Sequence, residues 1–168
     1  MAVRRRPRIT AARLRELLDY NAETGEFRWR KGIGGSIRTG DLAGSLSMDG
    51  YRRIVIKGRQ YRAHQLAWLY MTGKWCSLYV DHRDGNPSNN RWVNLRRATA
   101  SQNNANRRLQ RNNACGLKGV SRNRLGWRAT INKNRRKRNL GTFPTPQEAH
   151  AVYSVEARKL HGEFARTE

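Results

Sequence analysis

Acidic residues are scarce in this sequence and cysteines scarcer. Against 35 Lys and Arg stand 12 Asp and Glu, for a net charge of +23 and an isoelectric point of about 11.6. Such a field draws polyanions from a distance, so nucleic acid, and double-stranded DNA first, is the expected partner. A membrane-surface binder or a ribosomal protein carries similar charge, so charge fixes the class of partner and not the activity. Cys76 and Cys115 lie far apart, and neither belongs to a CxxC pair. This argues against a disulfide framework and a thiolate zinc site, and for a reducing compartment. No apolar run approaches a membrane span, and the basic start Met1–Arg8 leads into no apolar signal core. A soluble, cytoplasmic monomer without disulfides or membrane contact is expected. With hydrophobic residues at 37% and aromatics at 8% of 168 residues, only modest cores can form, and two small lobes fit better than one large one.

Residues 1–9 read as a basic disordered arm, either an extension that binds DNA or a solvated end. Thr10 followed by Leu14, Leu17 and Leu18 predicts a short capped helix ending near Tyr20. Phe27 and Trp29 alternate with Arg28 and Arg30 as in a half-buried strand, and Gly32–Gly40 is a glycine-rich loop. Asp49-Gly50 between Leu42–Met48 and Tyr51–Ile56 is a two-residue hairpin signal, and Lys57-Gly58 is a second. Arg52, Arg53, Arg59 and Arg62 fall on this small sheet, either as phosphate contacts or as a solvated face. Ala67, Trp68 and Met71 share a helical face with His64, and Thr72-Gly73 ends that run. A single histidine on such a face is read as a hydrogen-bonded core residue.

The stretch from Val80 to Asn103 carries the chemistry. Leu78-Tyr79-Val80 is a short strand delivering Asp81 and His82 to its end, on opposite faces. A carboxylate is a hard oxygen ligand for Mg²⁺, and an imidazole can take a proton from water near neutral pH. Asp84-Gly85-Asn86-Pro87 and Asn89-Asn90 are turn formers, and Leu95–Ala98 can pair back with Leu78–His82. Thr99 and Gln102 make a capping box, which sets Asn103 at the end of a first helical turn. The order strand, loop, strand, helix is a ββα unit.

The segment from about Ala63 to Arg107 resembles the HNH homing endonucleases of phages and mobile introns, of the His-Me finger class. The resemblance rests on the helix Arg62-Ala63-His64-Gln65-Leu66-Ala67-Trp68, on Asp81-His82, Asp84-Gly85-Asn86, Asn89-Asn90 and Asn94-Leu95-Arg96, and on Ser101-Gln102-Asn103-Asn104. It implies that His82 is the general base, and that Asp81 and Asn103 hold one divalent metal, Mg²⁺ or Mn²⁺. It makes Asn94 a brace for the loop and the His82 backbone. Asparagine stands where some relatives carry a third histidine, so the implied metal shell is oxygen-only. The hairpins from Phe27 to Arg62 look like the lobe that precedes the motif in these proteins.

From Gly85 to Gln147 there is no Asp or Glu and there are fifteen Lys and Arg. Within this span, residues 10–106 give way to a polar linker over 107–113 and a second lobe over 114–168. Three short strands near Gly119-Val120, Trp127–Ile131 and Arg138–Thr142 are predicted, with turns at Leu125-Gly126 and Asn132–Arg135. Thr145-Pro146-Gln147-Glu148 starts a helix whose stripe is Ala149, Val152, Tyr153, Ala157, Leu160 and Phe164. The fold class is α+β: small hairpins and the ββα unit, then a three-stranded antiparallel sheet packed on one helix, its other face free for a major groove.

This lobe resembles the plant ethylene-response-factor (apetala-type) DNA-binding domain, on Gly119-Val120, Gly126-Trp127, Ala129 with Ile131, Leu140-Gly141-Thr142-Phe143, Glu148-Ala149, Tyr153, Ala157 and Leu160-His161-Gly162. Ser121 and Asn139 replace the family's usual arginine and tryptophan, so its target sequence does not carry over. Arg122, Arg124, Arg128, Thr130, Lys137 and Asn139 are the candidate DNA contacts, without a division between base readers and phosphate clamps. The leading reading is a homing-type, site-directed DNA endonuclease using one divalent metal. A non-catalytic DNA-binding regulator on a decayed nuclease scaffold and a structural RNA-binding protein are the rivals.

Overall fold

The structure, a computed structural model, describes residues 8–32, 35–109, 113–133 and 136–167. Most of the basic arm, residues 110–112 of the linker and residues 134–135 of the expected Asn132–Arg135 turn lie outside the described residues. Two compact units divide the chain, residues 1–97 and 98–168, a boundary earlier than the 107–113 linker expected from composition.

In the first unit, helix α1 (Ala11–Leu17) is capped by the Thr10 hydroxyl, which accepts from the Arg13 N–H. It ends sooner than its apolar spacing predicts. Leu18–Tyr20 leaves the helix as strand β1, paired antiparallel with β2 (Phe27–Trp29) in the register Leu18 to Trp29 and Tyr20 to Phe27. Leu18 and Tyr20 can satisfy either periodicity; pairing wins because it buries both against Phe27 and Trp29 while Asp19 stays in water.

Strands β3 (Ser45–Leu46), β4 (Arg52–Ile56) and β5 (Arg59–Arg62) form an antiparallel sheet in that order. The β4–β5 turn uses Lys57 and Gly58, both at positive φ, 49° and 73°, as a two-residue hairpin of this twist requires. The expected strand from Leu42 shrinks to two residues, and Leu42 instead forms an isolated bridge to Arg28. Helix α2 (Ala63–Thr72) follows and stops at Gly73, whose φ of 74° is left-handed. The core joins Leu14, Leu18, Phe27, Ile54, Leu66 and Leu69, each worth about 1.5–3 kcal/mol relative to exposure. Strands β6 (Tyr79–His82) and β7 (Leu95–Ala98) pair, and a 3₁₀ turn at Trp92–Asn94 leads into β7.

The second unit opens with α3 (Ala100–Ala105), whose capping box between Thr99 and Gln102 is formed in both directions. At its far end the Lys118 ammonium donates to the Ala105 and Arg107 carbonyls, each at 2.6 Å, neutralising acceptors that a helix end leaves open. Strands β8 (Val120–Asn123), β9 (Gly126–Lys133) and β10 (Arg136–Phe143) form a three-stranded antiparallel sheet with β9 central. Helix α4 (Pro146–His161) packs on it through Ala149, Tyr153 and Ala157 against Val120, Ala129 and Ile131. Of the expected stripe, Val152 is exposed, and Phe164 is buried from a 3₁₀ turn beyond the helix. Gly119, at φ 78°, lies so close to Tyr153 that a Cβ there would come within 2.1 Å of the ring. Both cysteines are free, and no described helix is long and apolar enough to cross a membrane.

Candidate active site

Asp81 and His82 end β6, and both are buried. Asp81 Oδ2 accepts from Arg96 Nε at 2.9 Å, across the pairing of β6 with β7. The side chains of this pair are 7% and 6% exposed, which makes it a desolvated ion pair and not a surface one. His82 Nε2 lies 3.2 Å from Asn90 Oδ1. Its ring is flanked by His64, edge-on at 4.8 Å between centroids, and by Tyr51 at 6.0 Å. Burial lowers the His82 pKa, opposed in part by the Asn90 hydrogen bond and by Asp84 and Asp81; the imidazole is therefore neutral at pH 7.

The loop between the strands is tied to itself by asparagines. Asn94 Nδ2 donates to Asp84 Oδ1 at 3.0 Å and to the Asn89 carbonyl at 2.8 Å, while Asn94 Oδ1 accepts from the Asp84 N–H at 3.1 Å. Asn89 Nδ2 donates to Asp84 Oδ2 at 2.7 Å. Burial alone raises the Asp84 pKa, but hydrogen bonds from Asn86, Asn89 and Asn94 outweigh it, and the net shift is downward. Backbone bonds from Arg83 N to Asn94 O, at 2.8 Å, and from Gly85 N to His82 O, at 2.9 Å, close the loop under the histidine.

The first hairpin supports this loop from behind. Tyr20 Oη donates to the Asn90 carbonyl at 2.6 Å, and Trp92 N donates to the Ala22 carbonyl at 2.9 Å. Gly25, at φ 77°, passes so close that a Cβ would stand 2.4 Å from the Arg91 nitrogen.

Asp81, His82 and Asn94 thus meet within one unit. Asn103 stands in α3, in the other unit. By sequence alone Asn90 is a turn former and His64 a hydrogen-bonded core residue. Asn90 is 2% exposed and touches His82. His64 is buried as expected, yet its Nδ1 has no hydrogen-bond partner among the described residues, and its ring lies against His82. Asp84, outside the expected set, is the hub of the loop. Only the Asn-rich spacing hinted at this, and turn chemistry explains that spacing equally well.

A family model described as HNH endonuclease matches residues 61–105. Protein 3.8 of Escherichia phage T7 is 37% identical over 90 residues, which cover 52% of this chain and 74% of that protein. The chain belongs to the HNH endonuclease family. The uncharacterized HNH endonuclease L560 of Acanthamoeba polyphaga mimivirus is 38% identical over 88 residues; the match spans 52% of this chain and 46% of the mimivirus protein. Among solved structures, that of the HNH homing endonuclease I-HmuI, reported for DNA binding and cleavage, aligns with a TM-score of 0.43 at 23% identity, covering 86% of this chain and 85% of that one. The HNH segment matched by the family model contains Asp81, His82, Asn90, Asn94 and Asn103 but not Tyr20 or Gly25.

In the second unit the sheet's two faces differ. Ala129 and Ile131 turn toward α4, so Arg128, Thr130 and Asn132 occupy the other face. Arg128 pairs with Ser121 on one side and Thr142 on the other, Thr130 with Asn139, and Asn132 with Lys137. Of the six expected contacts, Arg128, Thr130, Lys137 and Asn139 share this face. Arg122 is paired with Trp127 and lies over its ring at 5.0 Å. Arg124 sits in the β8–β9 turn, exposed.

Proposed function

We propose that this protein is a site-directed DNA endonuclease of homing type, in which the first unit hydrolyses the phosphodiester and the second, an ethylene-response-factor-like sheet, selects the site. The observation that carries the reading is the pair Asp81 and His82 at one strand end, each held by its own partner and both within the segment shared with HNH endonucleases. A buried carboxylate and a neutral imidazole so constrained are the parts of a hydrolytic site and exceed what a surface turn needs.

His82 removes a proton from water, the hydroxide oxygen bonds to phosphorus, and the bond to the 3′ oxygen breaks in line. Asn94 and Asp84 hold the loop, so that the imidazole meets the water in one orientation. Among the described residues no cluster of three or more His, Cys, Asp and Glu forms a metal cage. Asp81 nonetheless supplies the buried hard oxygen that Mg²⁺ or Mn²⁺ takes beside waters and phosphate oxygens. We assign the cation to Asp81; when bound it would stabilise charge on the phosphate and the leaving oxygen.

For the second unit, Arg128, Thr130, Lys137 and Asn139 are proposed to face the major groove, with Arg124 at its rim. The test is relaxation of supercoiled plasmid by wild type and His82→Ala, with Mg²⁺ and with EDTA. Nicking that requires both His82 and the cation is expected. DNA binding without His82-dependent nicking would leave a binding protein in its place.

A further inference from the structure

The side chain of Asn90 has no role in the mechanism above, yet it is 2% exposed and ranks among the largest fully buried side chains. Its orientation follows from its neighbours. Asn90 Nδ2 lies 3.1 Å from the Ser88 carbonyl oxygen. A carbonyl only accepts, so the nitrogen end of the amide faces Ser88 and the oxygen end faces His82 Nε2 at 3.2 Å. An amide oxygen also only accepts, so the proton of the neutral imidazole sits on Nε2. The lone pair of the neutral ring is then on Nδ1.

The amide itself is held in place. The Asn90 N–H donates to the Ser88 carbonyl at 3.1 Å, Tyr20 Oη donates to the Asn90 carbonyl at 2.6 Å, and Gly25 abuts the Asn90–Arg91 peptide. His64 and Tyr51 hold the plane of the ring. We propose that Asn90 is a positioning residue that fixes the Nε2–H tautomer of His82 and so presents Nδ1 as the basic atom. The assignment of Nδ1 to catalysis rests on the nuclease reading; the tautomer does not.

Two arms test it. In ¹⁵N–¹H correlation spectra of the full chain at pH 7.5, recorded beside a His82→Gln reference to identify the ring, wild-type His82 shows the Nε2–H pattern. Asn90→Leu, which keeps bulk and removes the acceptor, gives a mixture of tautomers or the Nδ1–H form. Asn90→Asp, which keeps an oxygen acceptor, retains Nε2–H.

In plasmid nicking, Asn90→Leu lowers kcat by about 10- to 100-fold, as loss of a residue behind a catalytic group commonly does. KM is unchanged because the buried amide does not reach DNA, and Asn90→Asp recovers most of the loss. An Nδ1–H wild type, or an Asn90→Leu that keeps both the tautomer and kcat, overturns the proposal. A wild type with the Nε2–H form, lost in Asn90→Leu, in a protein that does not nick sustains the proposal and defeats the nuclease reading instead. Should Asn90→Leu fail to fold, the wild-type and Asn90→Asp spectra decide alone, since each must show Nε2–H.

Discussion

Replacing Arg96 with methionine isolates the buried pair beneath the site. An exposed ion pair contributes at most about 1 kcal/mol, but Arg96 and Asp81 are 6% and 7% exposed. Methionine fills a similar volume and supplies no charge, so the buried Asp81 carboxylate loses its Arg96 partner. Breaking such a pair from one side costs about 3–5 kcal/mol, roughly a fifth or more of what holds a typical domain together. For a unit of this size, residues 1–97, that lowers Tm by about 12 °C or more. Urea unfolding followed by tryptophan fluorescence reports on this unit, because Trp29, Trp68, Trp75 and Trp92 all lie in it. The midpoint falls and the slope does not change. The double variant Asp81→Leu with Arg96→Met buries apolar groups where the charges stood, and returns to within about 1 kcal/mol of wild type. A cost below about 1 kcal/mol for the single variant, or a double variant no better than the single, refutes the argument from desolvation.

The remaining outcomes concern other parts of the chain. Gly119→Ala adds a Cβ that would stand 2.1 Å from Tyr153, at a φ of 78°; the second unit loses about 2 kcal/mol or more, read as an earlier Trp127 unfolding transition. His64 has its pKa lowered to about 3, first by burial and then by His82 and Arg62. Above pH 6.5 both folded and unfolded states leave it neutral; as pH falls from 6.5 toward 3 only the unfolded state takes the proton, so stability drops across that window. His64→Phe flattens the drop, and an unchanged pH profile of the midpoint would speak against it. Arg128→Ala with Lys137→Ala removes two cations from the outer sheet face; DNA affinity falls, and the slope of log K against log salt shrinks by about 2. Turnover at saturating DNA stays as in wild type, and an unaltered slope would place the phosphate contacts elsewhere.

Local signals carried the elements whose chemistry is local. The Thr99–Gln102 box, the Lys57-Gly58 turn, the Gly73 stop and the alternation of Ala129 and Ile131 all appear where spacing predicts them. Leu18–Tyr20 is ambiguous in the sequence because two apolar residues flanking one acid suit a helix end and a strand alike, and the partner that decides between them is supplied by residues 27–29. At the site, Asp81 and His82 were visible as chemistry. Asn90 was not, since its identity suits a turn and its role depends on Tyr20, seventy positions away in the chain. The Arg96 partnership with Asp81 was equally hidden, for it arises only when β6 and β7 lie side by side.

The contact of the residue 20–25 hairpin with the Asn90–Trp92 backbone bears on how portable the nuclease motif is. The stretch shared with the family model begins at residue 61, and a fragment cut there would keep every residue that the chemistry names. It would also lose the phenol that pins the Asn90 carbonyl and the glycine against which the next peptide rests. Grafting the motif onto another protein therefore means transplanting a buttress along with the reactive groups. Insertions in the turn at 21–25 should be tolerated far less well than its exposed position suggests.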